Sequence, residues 1–200
     1  MDGNKLYIGI SGKMGSGKST IRDEIIKSLD SLKCDTVSLA SPIKRVEKVI
    51  YKDLGIEHTK KDRQLLIQLG MWGRGIDPDF WLKQAVKMME KSEADVVICD
   101  DVRFLNEAEW FDNNGILLRL EGKQRGDNVN PEFADSISET QLDYYDFKYI
   151  IDNTGSIEAT SLMALYHISK HIGAINSIME QMAKEVNDGR QKEGEEKNSE

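Results

Sequence analysis

The sequence predicts a three-layer α/β domain, in which helices cover both faces of a parallel sheet of five strands. Two apolar runs, LYIGI at residues 6–10 and VVIC at residues 96–99, are continuous rather than alternating, as expected for strands buried on both faces. Segments with helical periodicity separate most of the apolar runs. Strands that alternate with helices along the chain are typical of α/β domains with a parallel sheet.

Five short apolar runs are the predicted strands, and four pairs of capping residues mark helix starts between them. A capping oxygen before a proline, or a Ser or Thr three residues before an acidic or amide side chain, is typical of a helix N-terminus. Helices are therefore expected to begin near residues 42, 60, 78 and 139. The pairs are Ser41-Pro42, Thr59 with Asp62, Asp77-Pro78, and Ser138 with Gln141. The strands are Lys5–Ser11, Thr36–Ala40, Asp95–Asp100, Gly115–Glu121 and Phe147–Asp152.

The length of 200 residues and 39% hydrophobic content predict one domain, over residues 1–187. The polar, glycine-bearing segment at residues 122–137 is long for a loop in a compact domain and is expected to be a lid. Residues 188–200 contain no apolar side chain, which predicts a disordered acidic tail.

A C-terminal helix is predicted over residues 156–187, with an apolar stripe at alternating steps of three and four residues. Packing of this stripe on the body of the domain is the simpler interpretation. A homodimer formed through the stripe is the alternative. The stripe consists of Leu165, Ile168, Ile172, Ile175, Met179, Met182 and Val186.

Charge, cysteine content and the distribution of apolar residues indicate which partners and which cellular location to expect. The 27 basic and 35 acidic side chains give a net charge of −8, which argues against binding to nucleic acid or to an anionic membrane. Cys34 and Cys99 are far apart without metal-ligand spacing, as in the reduced thiols of an intracellular protein. The N-terminus lacks the basic region followed by an apolar region that a signal peptide has, and no apolar run approaches the length of a membrane span. We therefore expect a cytoplasmic protein.

A phosphate-binding loop follows the first strand. Residues 12–19, GKMGSGKS, fit the pattern G-x-x-x-x-G-K-[ST], and they lead from a predicted strand into a predicted helix. Glycines allow backbone N–H groups to surround a phosphate, and the helix N-terminus adds a favourable dipole. The pattern predicts a nucleoside triphosphate, with Lys18 at the β- and γ-phosphates and the Ser19 hydroxyl at Mg²⁺. The residues expected to hold it are Gly12, Lys13, Gly15, Ser16, Gly17, Lys18, Ser19 and Thr20.

Two adjacent carboxylates, Asp100 and Asp101, stand at the end of the third predicted strand. In this topology the strand ends beside the phosphate-binding loop, where a carboxylate can hold Mg²⁺ or its waters. The sequence leaves open which of the two has this role. Arg103 is expected to face the same crevice.

The distribution of arginines favours an anionic acceptor for a transferred phosphoryl group. A hydroxyl acceptor usually requires a base, whereas an acceptor phosphate is already anionic and mainly requires cations. Planar guanidinium groups suit phosphate oxygens. Five of the eight arginines lie between the second strand and the predicted lid: Arg63, Arg74, Arg103, Arg119 and Arg125.

These motifs together resemble the bacteriophage-type deoxynucleoside monophosphate kinases, which are relatives of adenylate kinase. The resemblance covers roughly Lys5 to Leu165 and is most specific in its RQLL-x-QLG and DVRF-x-NE segments. In order, the segments are SGKMGSGKST, LASPIK, RQLLIQLGMWGR with DPDFW, ICDDVRFLNE, SISETQLD and IIDNTGSIEA.

The resemblance implies a P-loop kinase fold with a helical acceptor-binding region at residues 42–92, and transfer of phosphate from ATP, with Mg²⁺, to a deoxynucleoside monophosphate. Asp101 and Arg103 match the aspartate and arginine of the family's DVRF segment. Lys44 and Arg63 match positions that line the acceptor pocket, where Gln68, Arg74 and Trp81 are further candidates, although Trp81 fits a core position better. Arg125 lies where the lid would supply a catalytic cation. Lys18, Arg103, Asp101 and Arg125 are then the candidate catalytic residues.

Two other classes fit the phosphate-binding loop. Another small-molecule kinase, of the phosphomevalonate or dephospho-coenzyme A type, would share the donor site and differ in the acceptor pocket. A nucleotide-dependent switch or assembly protein would bind the nucleotide without transfer.

Overall fold

The computed structural model describes residues 5–122 and 137–173, and within them it contains the predicted parallel sheet between two layers of helices. The strand order is β2-β3-β1-β4-β5, and every neighbouring pair is parallel. Strand β1 therefore lies at the centre of the sheet. The elements are β1 (Leu6–Ser11), α1 (Lys18–Ser28), β2 (Cys34–Thr36), α2 (Ser41–Asp53), α3 (Arg63–Ile76), α4 (Phe80–Lys91), β3 (Val96–Val102), α5 (Leu105–Asn114), β4 (Ile116–Glu121), α6 (Ile137–Thr140), β5 (Tyr149–Asp152) and α7 (157–173).

Alternate residues of the central strands supply two separate cores, one on each face of the sheet. In β3, Val97 and Cys99 pack with apolar residues of α4 and α5, whereas Val96 and Ile98 pack with residues of α1 and α7. The sequence of a strand that is covered on both faces is a continuous apolar run, which is why β1 and β3 have that pattern. The predicted α/β class with three layers is confirmed.

Strand β2 differs from its predicted position. The sequence predicts a strand at 36–40, but β2 is Cys34–Thr36, paired with the start of β3. The Asp101 carboxylate accepts hydrogen bonds from Leu39 N (2.8 Å) and Ala40 N (3.2 Å), and these bonds draw the chain away from the sheet. Val37 and Leu39 are still buried, so the apolar pattern identified core positions but not the end of the strand.

Helix starts lie within a few residues of the predicted positions, with different caps. Asp62, expected to be the second partner of a capping box, is itself the N-cap of α3, and its side chain accepts from Leu65 N (3.0 Å). The expected role of Thr59 is therefore wrong. Helix α4 begins at Phe80, because Asp77 caps the turn before it by accepting from Asp79 N (2.9 Å).

The described part of the C-terminal helix, residues 157–173, packs on the sheet. Ala164 and Ile168 are fully buried against β1, β4 and β5, while Ile172 is partly exposed. The stripe beyond residue 173, the tail and most of the expected lid with Arg125 lie outside the described residues. Within the described residues no helix has the length and apolar character that a membrane span requires.

Gly115 provides a test of the packing between α5 and β1. A Cβ atom there would lie 2.2 Å from the Tyr7 carbonyl oxygen, which no rotamer change can relieve because the obstacle is backbone. We expect Gly115→Ala to lower the free energy of unfolding by about 2–3 kcal/mol in urea denaturation. Gly75 in α3 is the matched control, because a Cβ there meets nothing within 4 Å. Gly75→Ala should raise stability by about 0.5–1 kcal/mol, and equal effects at both positions would contradict the packing.

Candidate active site

The loop between β1 and α1 has the backbone conformation that its glycines permit. Gly15 (φ 75°) and Gly17 (φ 81°) adopt left-handed conformations that side-chain-bearing residues rarely adopt, and Gly17 is the N-cap of α1. The Ser16 hydroxyl is buried and has no hydrogen-bond partner among the described residues. The loop therefore offers a phosphate the N-terminus of α1 and a buried hydroxyl without a partner.

Lys18 is the first residue of α1, and its side chain folds back over the loop. Its Nζ donates to the carbonyl oxygens of Gly12 (2.7 Å) and Lys13 (2.8 Å). Burial lowers the pKa of Lys18 to about 8, with Arg103 and Arg119 adding repulsion that Asp100 and Asp101 partly offset. This ammonium group is poorly compensated by the protein, and the charge of a bound phosphate would compensate it.

Asp100 and Asp101 point to opposite sides of β3 because successive strand residues alternate. Asp100 Oδ2 accepts from Arg22 Nη1 of α1 (2.8 Å). Asp101 turns toward the β2–α2 connection, where it also accepts from Ser38 Oγ (2.6 Å). Both oxygens of Asp101 are thus engaged by protein donors, which leaves Asp100 as the carboxylate better placed beside the loop. No group of three or more His, Cys, Asp or Glu in the described ranges is arranged to hold a metal ion.

A cleft opens between the phosphate-binding loop, the end of β3 and α6. Its lining includes Gly12, Arg103, Arg119 and Glu139. Arg119 is buried, donates to Ser11 Oγ (3.2 Å) and lies 5.0 Å from the centre of the Phe147 ring. Arg103 forms an ion pair with Glu139 through Nη1. The two guanidinium groups line the cleft, and both repel the nearby ammonium of Lys18.

A second set of cations joins Arg103 of this cleft to three residues outside its lining. Lys44 Nζ of α2 donates to Ser38 Oγ (3.2 Å), which in turn bonds to Asp101. Lys61 is exposed, but partial desolvation and repulsion from Lys44, Arg63 and Arg103 hold its pKa below its usual value, and Glu47 partly offsets them. Lys61 is therefore within electrostatic range of the other three cations. We call Lys44, Lys61, Arg63 and Arg103 the acceptor cations.

The sequence predicts three further residues of the acceptor pocket, and none of them belongs to the acceptor cations. The Arg74 guanidinium lies 4.4 Å from the centre of the Phe104 ring, at the start of α5. Gln68 is exposed on α3. Trp81 is a core residue, as the sequence favoured, and its Nε1 donates to the Gly70 carbonyl oxygen (3.2 Å).

Glu107, which no sequence argument singled out, holds the chain that carries Arg103. Its Oε2 accepts from the backbone N–H groups of Arg103 (2.8 Å) and Phe104 (3.0 Å) at the N-terminus of α5. Burial raises the pKa of Glu107 to about 7. A carboxyl whose pKa is raised on folding stabilises the fold below its unfolded pKa and loses that contribution as pH rises through the folded pKa.

Replacement of Glu107 by Gln should therefore change how stability depends on pH. The variant keeps an oxygen acceptor for both N–H groups but cannot ionise. Between pH 4.5 and pH 7, we expect the variant to gain stability relative to the wild-type chain by about 1–3 kcal/mol in urea denaturation. Glu109→Gln, at an exposed position of the same helix, is the control. Parallel pH profiles for Glu107→Gln and the wild type would show that burial does not perturb this carboxyl.

The residues that sequence reasoning missed have weak local signals. Glu107 and Glu139 belong to the DVRFLNE and SISETQLD segments. A search for residues that bind phosphate selects cations, so it passes over these two acidic residues. Lys61 is one of two adjacent lysines before α3 and has no motif of its own. Their positions depend on contacts between distant segments, such as residues 103 and 139.

Comparison with known proteins agrees with the fold. The solved structures that share the fold include TT1252 from Thermus thermophilus (19% identity, TM-score 0.53) and a gluconokinase from Sinorhizobium meliloti 1021 (16% identity, TM-score 0.52). The first match covers 82% of this chain and 97% of the other, and the second covers 87% and 98%. Among curated protein sequences, none matches this chain.

A family model supplies the more specific relationship. The model for phosphomevalonate kinase matches residues 10–116, which include the phosphate-binding loop, Lys44, Lys61, Arg63 and Arg103. This match spans more than half of the chain. The chain belongs to the phosphomevalonate kinase family and is a P-loop kinase that acts on a small molecule.

Proposed function

We propose that this protein transfers the γ-phosphoryl group of ATP to the phosphate of a (deoxy)nucleoside monophosphate, giving the diphosphate and ADP. The observation that carries the proposal is the group of acceptor cations beside the phosphate-binding loop. Two phosphorylated ligands repel each other, and cations between them offset that repulsion. A protein with a net charge of −8 that concentrates cations in one cleft is suited to small anionic ligands rather than to extended polyanions.

On the donor side, the loop residues predicted from the sequence hold the triphosphate of ATP. Backbone N–H groups from Gly12 to Thr20 surround the phosphates, and Lys18 reaches the β- and γ-phosphates. Lys13 and Ser16 belong to the same loop. Arg125 is proposed as a further cation over the phosphates, on the family resemblance alone.

Mg²⁺ in phosphoryl-transfer sites is usually held by one or two protein oxygens together with phosphates and water. The exposed start of α1 and the end of β3 offer two such oxygens, the Ser19 hydroxyl and the Asp100 carboxylate, so these residues fit the ion. The ion would neutralise charge on the phosphates when bound. Asp101, with its oxygens engaged by Leu39, Ala40 and Ser38, is proposed to shape the acceptor site instead.

The chemistry requires no general base. An oxygen of the acceptor phosphate attacks the γ-phosphorus, a new P–O bond forms, and the bond from the γ-phosphorus to the β-phosphate oxygen breaks to release ADP. The acceptor cations hold the attacking phosphate in line, while Lys18 and Arg119 face the charge on the transferred group.

Phosphomevalonate is the second candidate acceptor, and the family-model match over residues 10–116 favours it. Both candidates present a phosphate monoester, so the acceptor cations serve either one. The nucleotide is preferred because the resemblance to deoxynucleoside monophosphate kinases continues beyond residue 116, through SISETQLD and IIDNTGSIEA. A cytoplasmic location and a homodimer through the C-terminal helix belong to the same proposal.

A coupled ADP-release assay with ATP and Mg²⁺ tests the proposal. The acceptors are dAMP, dGMP, dCMP, dTMP, hydroxymethylated pyrimidine monophosphates and phosphomevalonate, with no acceptor as the blank. We expect turnover with at least one deoxynucleotide. Turnover with phosphomevalonate alone would replace the first candidate by the second. ATP binding without turnover on any acceptor would favour a nucleotide-dependent switch.

A further inference from the structure

Glu139 is a buried acidic residue in a cleft otherwise rich in cations. It lies in α6, with a side chain that is 5% exposed. Its Oε1 accepts from Arg103 Nη1, and its Oε2 accepts from the backbone N–H of Met14 (2.9 Å) in the phosphate-binding loop. One carboxylate therefore joins the arginine on the acceptor side to the loop on the donor side.

The contact with Glu139 also holds one end of the Arg103 guanidinium in place. The side-chain hydrogen bonds of Arg103 to described residues, to Glu139 and to the Ser138 carbonyl oxygen (3.5 Å), all use Nη1. Within residues 5–122 and 137–173 no hydrogen bond uses the Nε–Nη2 edge, so this edge can face a ligand. Two parallel N–H donors on one edge match two oxygens of a phosphate, so a guanidinium held by one end presents its other edge in a fixed direction.

A second contact ties α6 to the same loop. Lys13 Nζ donates to the Glu139 carbonyl oxygen (2.5 Å) and forms an ion pair with Asp143. The position of Glu139 is thus set by the loop, and that of the Arg103 guanidinium by Glu139.

We infer that Glu139 is a positioning residue, which sets the guanidinium of Arg103 relative to the phosphate-binding loop and so aligns the acceptor phosphate with the γ-phosphorus. The inference rests on the proposed function and deepens it. A negative charge this close to two phosphates weakens their binding. Glu139 therefore contributes to the alignment of the phosphates, which affects kcat, and not to their affinity, which affects KM.

Glu139→Gln separates these two effects. The amide keeps the shape but loses the ion pair with Arg103. We expect kcat to fall about 10- to 100-fold while KM for ATP and for the acceptor stays equal or decreases. Glu158→Gln, at an exposed position of α7, is the control and should match the wild type. A wild-type kcat for Glu139→Gln would overturn the inference.

A double-mutant cycle with Arg103→Ala tests whether Glu139 acts through Arg103. If it does, adding Glu139→Gln to the Arg103→Ala chain lowers kcat by less than twofold. A further loss as large as that in the wild-type background would assign Glu139 a separate, structural role. Melting temperatures of the four chains show whether any loss reflects unfolding.

A spectroscopic measurement decides the inference even if no acceptor is turned over. In the nitrogen-15 NMR spectrum of arginine side chains, a guanidinium held at Nη1 shows slowed rotation, and its signal is assigned by its absence from Arg103→Lys. We expect that signal in the wild-type chain and its averaging in Glu139→Gln. Restricted rotation that persists in Glu139→Gln would overturn the positioning role, whereas failure of every acceptor would overturn only the proposed function.

Discussion

Lys18→Met is expected to lower kcat about 10³-fold or more and to leave the fold intact, because the charge that it removes stabilises the transferred phosphoryl group rather than the protein. Burial and the neighbouring arginines lower the pKa of Lys18 to about 8, so the folded chain bears an unfavourable charge at neutral pH. Removal of this charge should leave the melting temperature unchanged or raise it. Loss of activity together with gain of stability is the combination that identifies a site residue.

The measurement is steady-state phosphoryl transfer together with thermal unfolding of the same preparations. Lys27→Met is the matched control: it removes an exposed lysine of the same helix, and activity should remain within twofold of the wild type. If Lys18→Met retained a tenth or more of the wild-type kcat, the phosphate-binding loop would not be the donor site.

Arg103→Lys should lower kcat/KM about 10²- to 10³-fold although it preserves the charge, because an ammonium cannot bond to Glu139 at one end and to a phosphate along the opposite edge. The larger part of the effect should appear with the acceptor as the varied substrate. With ATP varied and the acceptor saturating, KM should change less than threefold.

Arg45→Lys, at an exposed position of α2, controls for the general exchange of arginine for lysine and should be neutral. Equal effects of Arg103→Lys on KM for ATP and for the acceptor would contradict the assignment of Arg103 to the acceptor side.

The donor site could be predicted from the sequence because its residues are consecutive. Gly12 to Gly17 form one loop between β1 and α1, and Lys18 to Thr20 are the first residues of α1, so spacing alone brings the phosphate-binding groups together. The layers of the fold were equally predictable, since the continuous apolar runs of β1 and β3 require cover on both faces.

The acceptor site was only partly predictable, because it is built from segments far apart in the chain. Lys44 and Arg63 were predicted from the family resemblance, but Lys61 and Glu139 owe their proposed roles to neighbours that the sequence does not place beside them. The choice between Asp100 and Asp101 depends on the direction of β3 side chains: Asp100 shares the α1 side with Val96 and Ile98. The early end of β2 likewise depends on Asp101, more than 60 residues away.

The central claim is that the acceptor is a phosphate, and phosphorus NMR of the reaction product tests it most directly. With ATP, Mg²⁺ and the accepted monophosphate, the account predicts a pair of coupled phosphorus signals from the product's P–O–P linkage, in addition to the pair from ADP and in equal amount. A product phosphorus without such coupling would mean transfer to a hydroxyl, and inorganic phosphate with ADP as the only products would mean hydrolysis. Either result would contradict the account.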